Sequence, residues 1–347
     1  MHDTVRRILR FIEDPASDRF EDVALDVFAF QFGRIAPYRR FCEGRGATPG
    51  TVRDWRGIPP LPVAAFKEAV LCAGEPRHRF LTSGTTRGSE KRGVHAMPSL
   101  DLYRASWPGP FRSALLPDRD RITTYSLIPR LTEAPESSLA FMADGILDRF
   151  GTPRSRSFLG VSGLDANGLA NALAEAAEHA EPVLLLATSF AAKAFLDQLV
   201  APVKLTQGSR ILETGGTKGR AHTASRERLH TRYEALLGVI PSHVVGEYGM
   251  TELCSQLYEG PVGASERLYH GPPWLRTRVL DPETLAPLPD GRPGLLAHCD
   301  LANAWSVASL VTEDLGIAQG DGIRLLGRAE GAPPRGCSIA SEELLSS

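Results

Sequence analysis

The chain has 347 residues, of which 42% are hydrophobic and 23% charged, and its formal net charge at pH 7 is -2. These values are typical of a globular protein with one large domain, or a domain with a smaller lobe. They argue against a nucleic acid or an anionic membrane as a partner, and no apolar run reaches the roughly 20 residues of a membrane-spanning helix.

Residues 2–45 are predicted to be helical, because apolar residues recur there at helical spacings. The run from Ile58 to Phe66 contains three prolines and cannot be a regular helix throughout. It leads to a loop rich in hydroxyls and glycine, which lies between two short strand-like runs. The loop consists of Thr82, Ser83, Gly84, Thr85, Thr86, Arg87 and Gly88, and Lys91 follows it.

This loop has the composition of a phosphate-binding turn. Glycines let the backbone approach a ligand, hydroxyls donate hydrogen bonds, and a lysine adds a mobile positive charge. The alternative is a polar hairpin turn, since the same residue types form such turns. The loop is not a Walker A motif, because the sequence contains no Gly-Lys-Ser/Thr triplet.

Strand-like and helical runs alternate in the middle of the chain, which predicts a mainly parallel sheet covered by helices. The strand-like runs are 122–128, 157–160, 183–189 and 210–216, and the helical runs are 137–150, 165–179, 190–200 and 221–237. Shorter β-like segments follow from about residue 267. We therefore expect an amino-terminal helical segment with an α/β core over residues 1–265, and a β-rich lobe with a flexible tail over residues 266–347.

Two glycine-bearing turns follow predicted strands, at residues 214–218 and 246–252. Ligands bind beyond the carboxyl ends of the strands in parallel sheets, so both turns are candidate binding segments.

Four short motifs occur in a fixed order and together resemble the adenylate-forming (ANL) superfamily of acyl, aryl and aminoacyl activating enzymes. They are TSGTTRG at 82–88, YGMTE at 248–252, TED at 312–314 and GR at 327–328. Within that superfamily the chain is most similar to the LuxE-like acyl-protein synthetases, in segments such as IPPLPVAAFK, GGTK, VTEDLG and LGRAEGAPPRGCSIA. The resemblance implies an ANL-type amino-terminal domain of mainly parallel sheets covered by helices, with a β-rich lobe. The chain ends soon after Arg328, so we expect it to lack the usual mobile carboxy-terminal domain.

The resemblance implies that ATP and Mg²⁺ are the cofactors. The residues matching the family's loop for the β- and γ-phosphates are Thr82, Ser83, Gly84, Thr85, Thr86 and Gly88. Lys91 would reach pyrophosphate, although it lies one residue later than the usual lysine. Arg87 replaces a glycine of the family pattern, so the turn must be shaped differently or the arginine must itself face phosphate.

The YGMTE and GGTK motifs carry further implied roles. Glu252 would hold Mg²⁺ and Thr251 would bind the α-phosphate. Tyr248 would offer its ring to adenine, whose edge Gly215 and Gly216 would let the backbone approach. The alternative for Tyr248 is a core tyrosine.

The implied ribose-binding residue is Asp314, because both carboxylate oxygens accept hydrogen bonds. Glu313 replaces a flexible glycine of the family pattern, which leaves the aspartate in place but would alter the turn. Arg328 matches an arginine near the ribose and the interdomain hinge; a lone Gly-Arg pair would otherwise be a surface feature.

Lysines are scarce, since only Lys67, Lys91, Lys193, Lys204 and Lys218 occur among 39 basic residues. The superfamily's adenylation lysine lies in the carboxy-terminal domain that we expect to be missing. Lys218 in GGTKGR is the candidate to replace it in part. The alternative is that Lys218 is a surface lysine.

Cysteines lie at positions 42, 72, 254, 299 and 337, an odd number without a CxxC pair, and the amino terminus lacks the apolar core of a secretion signal. A reduced, cytoplasmic protein is therefore expected. Cys337 stands where LuxE-like proteins carry the acyl-accepting cysteine, and Arg335 beside it would favour its thiolate. The alternative is an inert cysteine near the terminus, while the other four are expected to be buried.

The resulting hypothesis is an adenylate-forming acid–thiol ligase that activates a fatty or aryl carboxylic acid and transfers the acyl group to Cys337. The thioester would then pass to an acyl-CoA-reductase-like or carrier protein. One alternative is transfer from the adenylate to coenzyme A, an amine or a carrier protein. Another is an inactive nucleotide-binding protein. The acid, the final acceptor and the oligomeric state stay open.

Overall fold

The structure, a computed structural model, describes residues 2–82, 92–215, 221–265 and 267–328, with the backbone alone for 221–225. The helices are α1 Asp3–Glu13, α2 Phe20–Arg34, α3 Ala36–Glu43, α4 Asp101–Ser106, α5 Pro108–Leu115, α6 Ser138–Phe150, α7 Ala166–Glu178, α8 Ser189–Gln198 and α9 Ala221–Arg232. Short 3-10 turns lie at Trp55–Gly57, Val63–Lys67, Pro241–His243 and Leu301–Asn303, and a π-helical turn at Tyr233–Leu237.

The strands are β1 Leu61–Pro62, β2 His78–Leu81, β3 Val94–Met97, β4 Thr123–Leu127, β5 Arg156–Ser157, β6 Leu159–Gly160, β7 Gly163–Leu164, β8 Val183–Thr188, β9 Arg210–Thr214, β10 Val244–Tyr248, β11 Leu257–Glu259, β12 Tyr269–His270, β13 Leu275–Leu280, β14 Pro293–Asp300, β15 Ser309–Gln319 and β16 Gly322–Arg328. The predicted alternation of strands and helices between residues 122 and 237 is confirmed.

The chain forms two compact units that are both discontinuous in sequence. Unit 1 comprises residues 1–107, 250–256 and 271–347, and unit 2 comprises residues 108–249 and 257–270. The amino-terminal helices thus share a unit with most of the β-rich segment, although the α/β segment lies between them in sequence. Whether residues 1–265 and 266–347 fold as separate domains stays a prediction.

Unit 2 is built on a mainly parallel sheet. Strands β10, β9, β8, β4 and β5 are neighbours in that order and all run parallel, while β11 and β12 extend the β10 edge in antiparallel pairs. Strand β8 is apolar and buried over almost its whole length, as expected for an inner strand covered on both faces. It packs in one cluster with Leu169 and Leu173 of α7 and Phe195 of α8.

Two predicted elements of unit 2 differ in detail. The strand predicted at 157–160 divides, because β5 pairs with β4 whereas β6 forms a hairpin with β7. The helix predicted at 221–237 changes to a π-helical turn at Tyr233 and ends at Gly238, whose φ of 72° is left-handed. Such a C-cap favours glycine, since a side chain there would be strained.

Unit 1 contains an antiparallel sheet in the order β13, β14, β15 and β16, to which β1 adds a parallel pair with β15. Helix α2 is fixed to this unit by the buried Gln31, whose Nε2 donates to Asn303 O at 3.0 Å. Its Oε1 accepts from Ala308 N at 3.2 Å. A buried amide bonded at both ends specifies one docking position of the helix.

Candidate functional site

The base of the predicted phosphate loop is a hairpin in unit 1. Strands β2 and β3 pair in antiparallel register, and Thr82 N donates to Gly93 O at 3.0 Å just beyond them. Thr82 Oγ1 accepts from Gly93 N at 2.9 Å. The Thr82 hydroxyl therefore closes the hairpin and has its own proton left to donate. The two predicted strand-like runs that flank the loop are confirmed.

Several predicted site residues lie outside the described part of the chain. They are Ser83, Gly84, Thr85, Thr86, Gly88, Lys91, Gly216, Lys218 and Cys337.

The turn that carries Thr251 and Glu252 belongs to unit 1 and is fixed through its backbone carbonyls. His95 Nδ1 donates to Thr251 O at 2.7 Å, and Asn303 Nδ2 donates to Glu252 O at 2.6 Å. Burial lowers the pKa of His95 to about 4, although the bond to Thr251 opposes this. The imidazole is thus neutral at pH 7, with its proton on the nitrogen that faces Thr251.

The residues after Glu252 are anchored by Asp300, which is buried at the end of β14. Asp300 Oδ2 accepts from Cys254 N at 3.0 Å and from Ser255 N at 2.9 Å, and Oδ1 accepts from Ser255 Oγ at 2.8 Å. With their carbonyls and amides bonded on both sides of Glu252, these residues have little backbone freedom. The side chains of Thr251 and Glu252 are presented from a rigid turn.

Glu252, the one carboxyl side chain of this turn, has a strongly shifted pKa. Its pKa is raised to about 7, chiefly by burial and to a lesser extent by Asp314, while a backbone hydrogen bond, Arg328 and Lys67 oppose the rise. Asp314, Arg328 and Lys67 therefore all lie within electrostatic reach of Glu252, although they are far apart in sequence. A half-buried carboxyl with such a pKa ionises fully when a cation binds to it.

Asp314 and Arg328 face each other across β15 and β16. Gly327, which precedes Arg328, has a φ of 104°, and the register of the two strands shifts between Leu315 and Gly316. The glycine of the GR motif is thus explained by its left-handed backbone. Arg328 Nε donates to Glu313 Oε2 at 2.9 Å, so its guanidinium is held by the acidic residue that replaces the family's glycine.

The described residues contain no group of three or more His, Cys, Asp or Glu side chains that could hold a metal ion by themselves. A Mg²⁺ ion typically takes one or two carboxylates and completes its shell with phosphate and water oxygens. Glu252, with Asp314 nearby, fits that mode of binding.

Unit 2 presents Gly215 and Tyr248 at the carboxyl ends of β9 and β10. Gly215 is exposed with a φ of 70°, and its carbonyl accepts from Ser189 Oγ at 2.5 Å. Tyr248 is half-buried, and its ring centroid lies 6.4 Å from that of Tyr269 in an edge-on contact. The two residues end adjacent strands of the sheet.

Glu247, which precedes Tyr248, is a buried carboxyl that the sequence did not single out. It accepts a hydrogen bond from the Thr214 hydroxyl, and burial raises its pKa to about 7. In the sequence, the one feature that could have indicated Glu247 was its position directly before the YGMTE motif. Asn303, Asp300 and Lys67 were also missed, because nothing in their local sequence indicates contact with residues 251–255.

The comparison with known families concerns the second half of the chain. Residues 183–346 match the family model described as "Acyl-protein synthetase, LuxE". The long-chain-fatty-acid–luciferin-component ligases of Aliivibrio fischeri and Vibrio harveyi are 33% identical to the chain over 85 and 79 residues. These segments are 22% and 21% of this chain and the same shares of the two relatives, so the match spans about a fifth of the relatives' length. The predicted LuxE-like resemblance is confirmed.

Two solved structures illustrate the similarity of fold. An open conformation of 2-hydroxyisobutyryl-CoA ligase in complex with 2-HIB-AMP and CoA has a TM-score of 0.63 at 15% identity, covering 88% of this chain and 73% of that one. ATP-bound MatB from Rhodopseudomonas palustris has a TM-score of 0.51 at 18% identity, covering 72% and 47%. The predicted α/β fold of the adenylate-forming enzymes is confirmed. Within the described ranges, no helix combines the length and the apolar character needed to cross a membrane.

Proposed function

We propose that this chain, which over residues 183–346 matches the LuxE acyl-protein synthetase family, activates a carboxylic acid with ATP and transfers the acyl group to Cys337. The observation that carries the proposal is the family match itself, because it includes Glu252, Asp314, Arg328 and Cys337. The electrostatic grouping of Glu252 with Asp314 and Arg328 supports it independently. By the names of the curated relatives, a long-chain fatty acid is the first candidate substrate.

In the first step, a carboxylate oxygen of the acid attacks the α-phosphorus of ATP, and pyrophosphate leaves. Asp314 would accept hydrogen bonds from the ribose hydroxyls, with Arg328 beside it. The Thr251 hydroxyl would donate to the α-phosphate, and Glu252 would hold Mg²⁺. Held there, Mg²⁺ would supply positive charge that offsets the negative charge of the phosphates. The bonds from His95 and Asn303 keep Thr251 and Glu252 in place, which is the positioning that phosphoryl transfer requires.

Other residues would bind the rest of the nucleotide. Tyr248 would stack on adenine, whose edge would lie against Gly215 and Gly216. The hydroxyls and amides of the loop from Thr82 to Gly88 would surround the β- and γ-phosphates. Lys91 and Lys218 would add positive charge near the phosphates.

In the second step, the Cys337 thiolate attacks the acyl carbonyl of the adenylate. A carbon–sulfur bond forms, the bond from the acyl carbon to the phosphate oxygen breaks, and AMP leaves with the electron pair. The thiol proton is released to solvent. The thioester would then pass to a partner, for which the relatives' names indicate a luciferin-component context and the family resemblance implies an acyl-CoA-reductase-like or carrier protein.

The test is ATP–pyrophosphate exchange over a panel of fatty and aryl acids, combined with intact-mass measurement of the protein. Active acids should give exchange and a mass gain equal to the acid minus water. Cys337→Ser should keep the exchange and lose the thioester, because serine is a far weaker nucleophile than a thiolate at neutral pH. Cys72→Ser is the matched control and should keep both.

Two results would contradict the proposal. Exchange at background with every acid would exclude adenylation and favour an inactive nucleotide-binding protein. Exchange without any mass gain, with acyl-CoA or an amide released when the acceptor is added, would exclude Cys337 as the acceptor and favour direct ligation.

A further inference from the structure

Lys67 ends a short turn that the sheet of unit 1 fixes in place. Strand β1 pairs in parallel with β15, at Leu61 with Leu310 and Pro62 with Val311. The 3-10 turn Val63–Lys67 follows directly. Because β15 also carries Asp314, the turn holding Lys67 is attached to the strand that carries the predicted ribose ligand.

Phe66, the neighbour of Lys67, lies between the base of the phosphate loop and the turn at Thr251. Its ring contacts His95 edge-on at 5.6 Å between centroids, and His95 bonds to Thr251 O. At the base of the loop, a methyl group at Gly93 would lie 3.6 Å from Phe66 Cβ and 3.0 Å from Thr82 Cγ2. The backbone of Lys67 therefore lies next to both predicted phosphate-binding segments.

The positive charge of Lys67 lies near Glu252 but does not form an ion pair with it. Lys67 and Arg328 both lie within electrostatic reach of Glu252. Arg328 is held by Glu313, whereas Lys67 forms no hydrogen bond or ion pair with its side chain among the described residues. A half-buried ammonium with three donors and no internal partner is suited to bind an anion.

The other two described lysines lie in unit 2, and each has a partner for its ammonium group there. Lys193 Nζ pairs with Asp197 at 2.6 Å on an exposed helix face. Lys204 Nζ donates to the carbonyls of Glu234 and Ala235 at 3.2 and 2.5 Å. Of the five lysines, Lys91 and Lys218 lie outside the described residues.

We propose that Lys67 is a catalytic residue, and that its ammonium contacts the α-phosphate and the substrate carboxylate during adenylation. This inference rests on the proposed function and names a residue for its first step. Two anions must approach each other when the carboxylate attacks the α-phosphorus, and charge is transferred to the bridging oxygens as pyrophosphate leaves. A cation between the two groups offsets their repulsion, and an ammonium does so as a compact point charge.

The first test compares Lys67→Met, Lys67→Arg and the control Lys193→Met in ATP–pyrophosphate exchange with the best acid for the wild type. We expect Lys67→Met to lower kcat about 10²- to 10³-fold, the usual loss when one charge-stabilising donor is removed. Lys67→Arg should recover part of that loss, and Lys193→Met should match the wild type. Acyl transfer from chemically supplied acyl-AMP to Cys337 should be much less affected, since adenylation is bypassed.

A purely structural role makes a different prediction. If Lys67 only keeps Glu252 ionised, its loss would weaken Mg²⁺ binding, and tenfold more Mg²⁺ would restore kcat in Lys67→Met. Such restoration, or a kcat within threefold of the wild type, would overturn the inference while leaving the proposed function intact.

A second measurement uses the wild-type protein and does not depend on how the variants fold. Reductive methylation with formaldehyde and dimethylamine–borane is followed by peptide mass spectrometry, with and without Mg²⁺ and α,β-methylene ATP. We expect the nucleotide to protect Lys67, while Lys193 and Lys204 react equally in both samples. Equal labelling of Lys67 at saturating nucleotide would contradict the inference. If no acid supports exchange, the proposed function fails, and the labelling still decides whether Lys67 contacts the nucleotide.

Discussion

The carboxyl groups of Glu252 and Asp314 are suited to different tasks, although they influence each other. Glu252 is half-buried and has a pKa of about 7, so it gains most from a bound cation. Asp314 lies on a strand opposite Arg328, where a carboxylate can accept hydrogen bonds from neutral hydroxyls. At the level of single residues, we therefore expect the first to be the metal ligand and the second the sugar ligand.

Replacing Asp314 by asparagine tests the sugar-binding role. One acceptor oxygen and the charge are lost, and hydrogen bonds to charged groups contribute about 1.5–3 kcal/mol each, so we expect the KM for ATP to rise about 10- to 100-fold. The adjacent Glu313→Gln is the matched control, because glutamine can still accept from Arg328. Its KM should change less than about threefold. Equal effects of the two changes in steady-state kinetics would show that Asp314 has no special contact with ATP.

Among the elements of unit 2, helix α9 is tied to strand β11 by a buried ion-pair cluster around Glu259. Arg226 Nη1 donates to Glu259 Oε1 at 2.9 Å, and Arg267 Nη2 donates to Oε2 at 2.6 Å. Although burial raises the pKa of Glu259, the two arginines outweigh it and lower the pKa to about 2. Since α9 follows the GGTK motif, this cluster fixes the helix that continues from the predicted adenine-binding turn.

We expect Glu259→Gln to lower the free energy of unfolding by about 3–5 kcal/mol at pH 7, because it leaves two half-buried arginines without the buried carboxylate that pairs with them. The lowered pKa of Glu259, from 4.5 to about 2, corresponds to about 3 kcal/mol of stability from ionisation. That stability is present above pH 4.5 and is lost as the pH falls towards 2.

Urea unfolding of the wild type and Glu259→Gln between pH 7 and pH 2.5 checks this prediction. The difference between the two proteins should be constant down to about pH 5 and shrink below it. Asp120→Asn is a control, since Asp120 forms an exposed pair with Arg112 and should contribute little. A difference in the free energy of unfolding that grows as the pH falls would contradict the assignment of this stability to ionised Glu259.

At the scale of the whole molecule, burial separates the four described cysteines into two classes. Cys42, Cys254 and Cys299 are buried, and burial raises the pKa of both Cys42 and Cys299 to about 12 and that of Cys254 well above its usual value. Cys72 is half-buried, and burial raises its pKa as well. The expectation that these four are buried is confirmed for three and holds in part for Cys72.

Since the thiolate is the reactive form, we expect iodoacetamide at pH 7.5 to leave Cys42, Cys254 and Cys299 unmodified in the folded protein. Cys337 should react first and Cys72 slowly, and all five should react in 6 M guanidinium chloride. Peptide mass spectrometry identifies the labelled positions. Prior incubation with ATP, Mg²⁺ and an active acid should block Cys337 alone; faster labelling of a buried cysteine would contradict this ranking.

The sequence by itself determined the elements and the ligand-bearing segments. Apolar residues recur with the period of a helix or form short buried runs, so β4, β8, β9 and helices α6 to α8 were predictable from local sequence. Hydroxyl- and glycine-rich turns at strand ends, together with four motifs in order, indicated the family and the candidate residues Glu252, Asp314 and Arg328.

Only the tertiary structure decided what surrounds those residues. Lys67, His95 and the segment with Asp300 and Asn303 come from three separate parts of the chain. His95, Asp300 and Asn303 bond to the turn at 251–255, and Lys67 lies within electrostatic reach of Glu252. The division of SFLG between two strand pairs also depended on distant partners. Local periodicity reports which face of an element is buried, but it carries no information about which distant residue packs there. For that reason the segments that carry the candidate residues could be predicted. The distant residues that fix these segments by hydrogen bonds, or that add charge near them, could not.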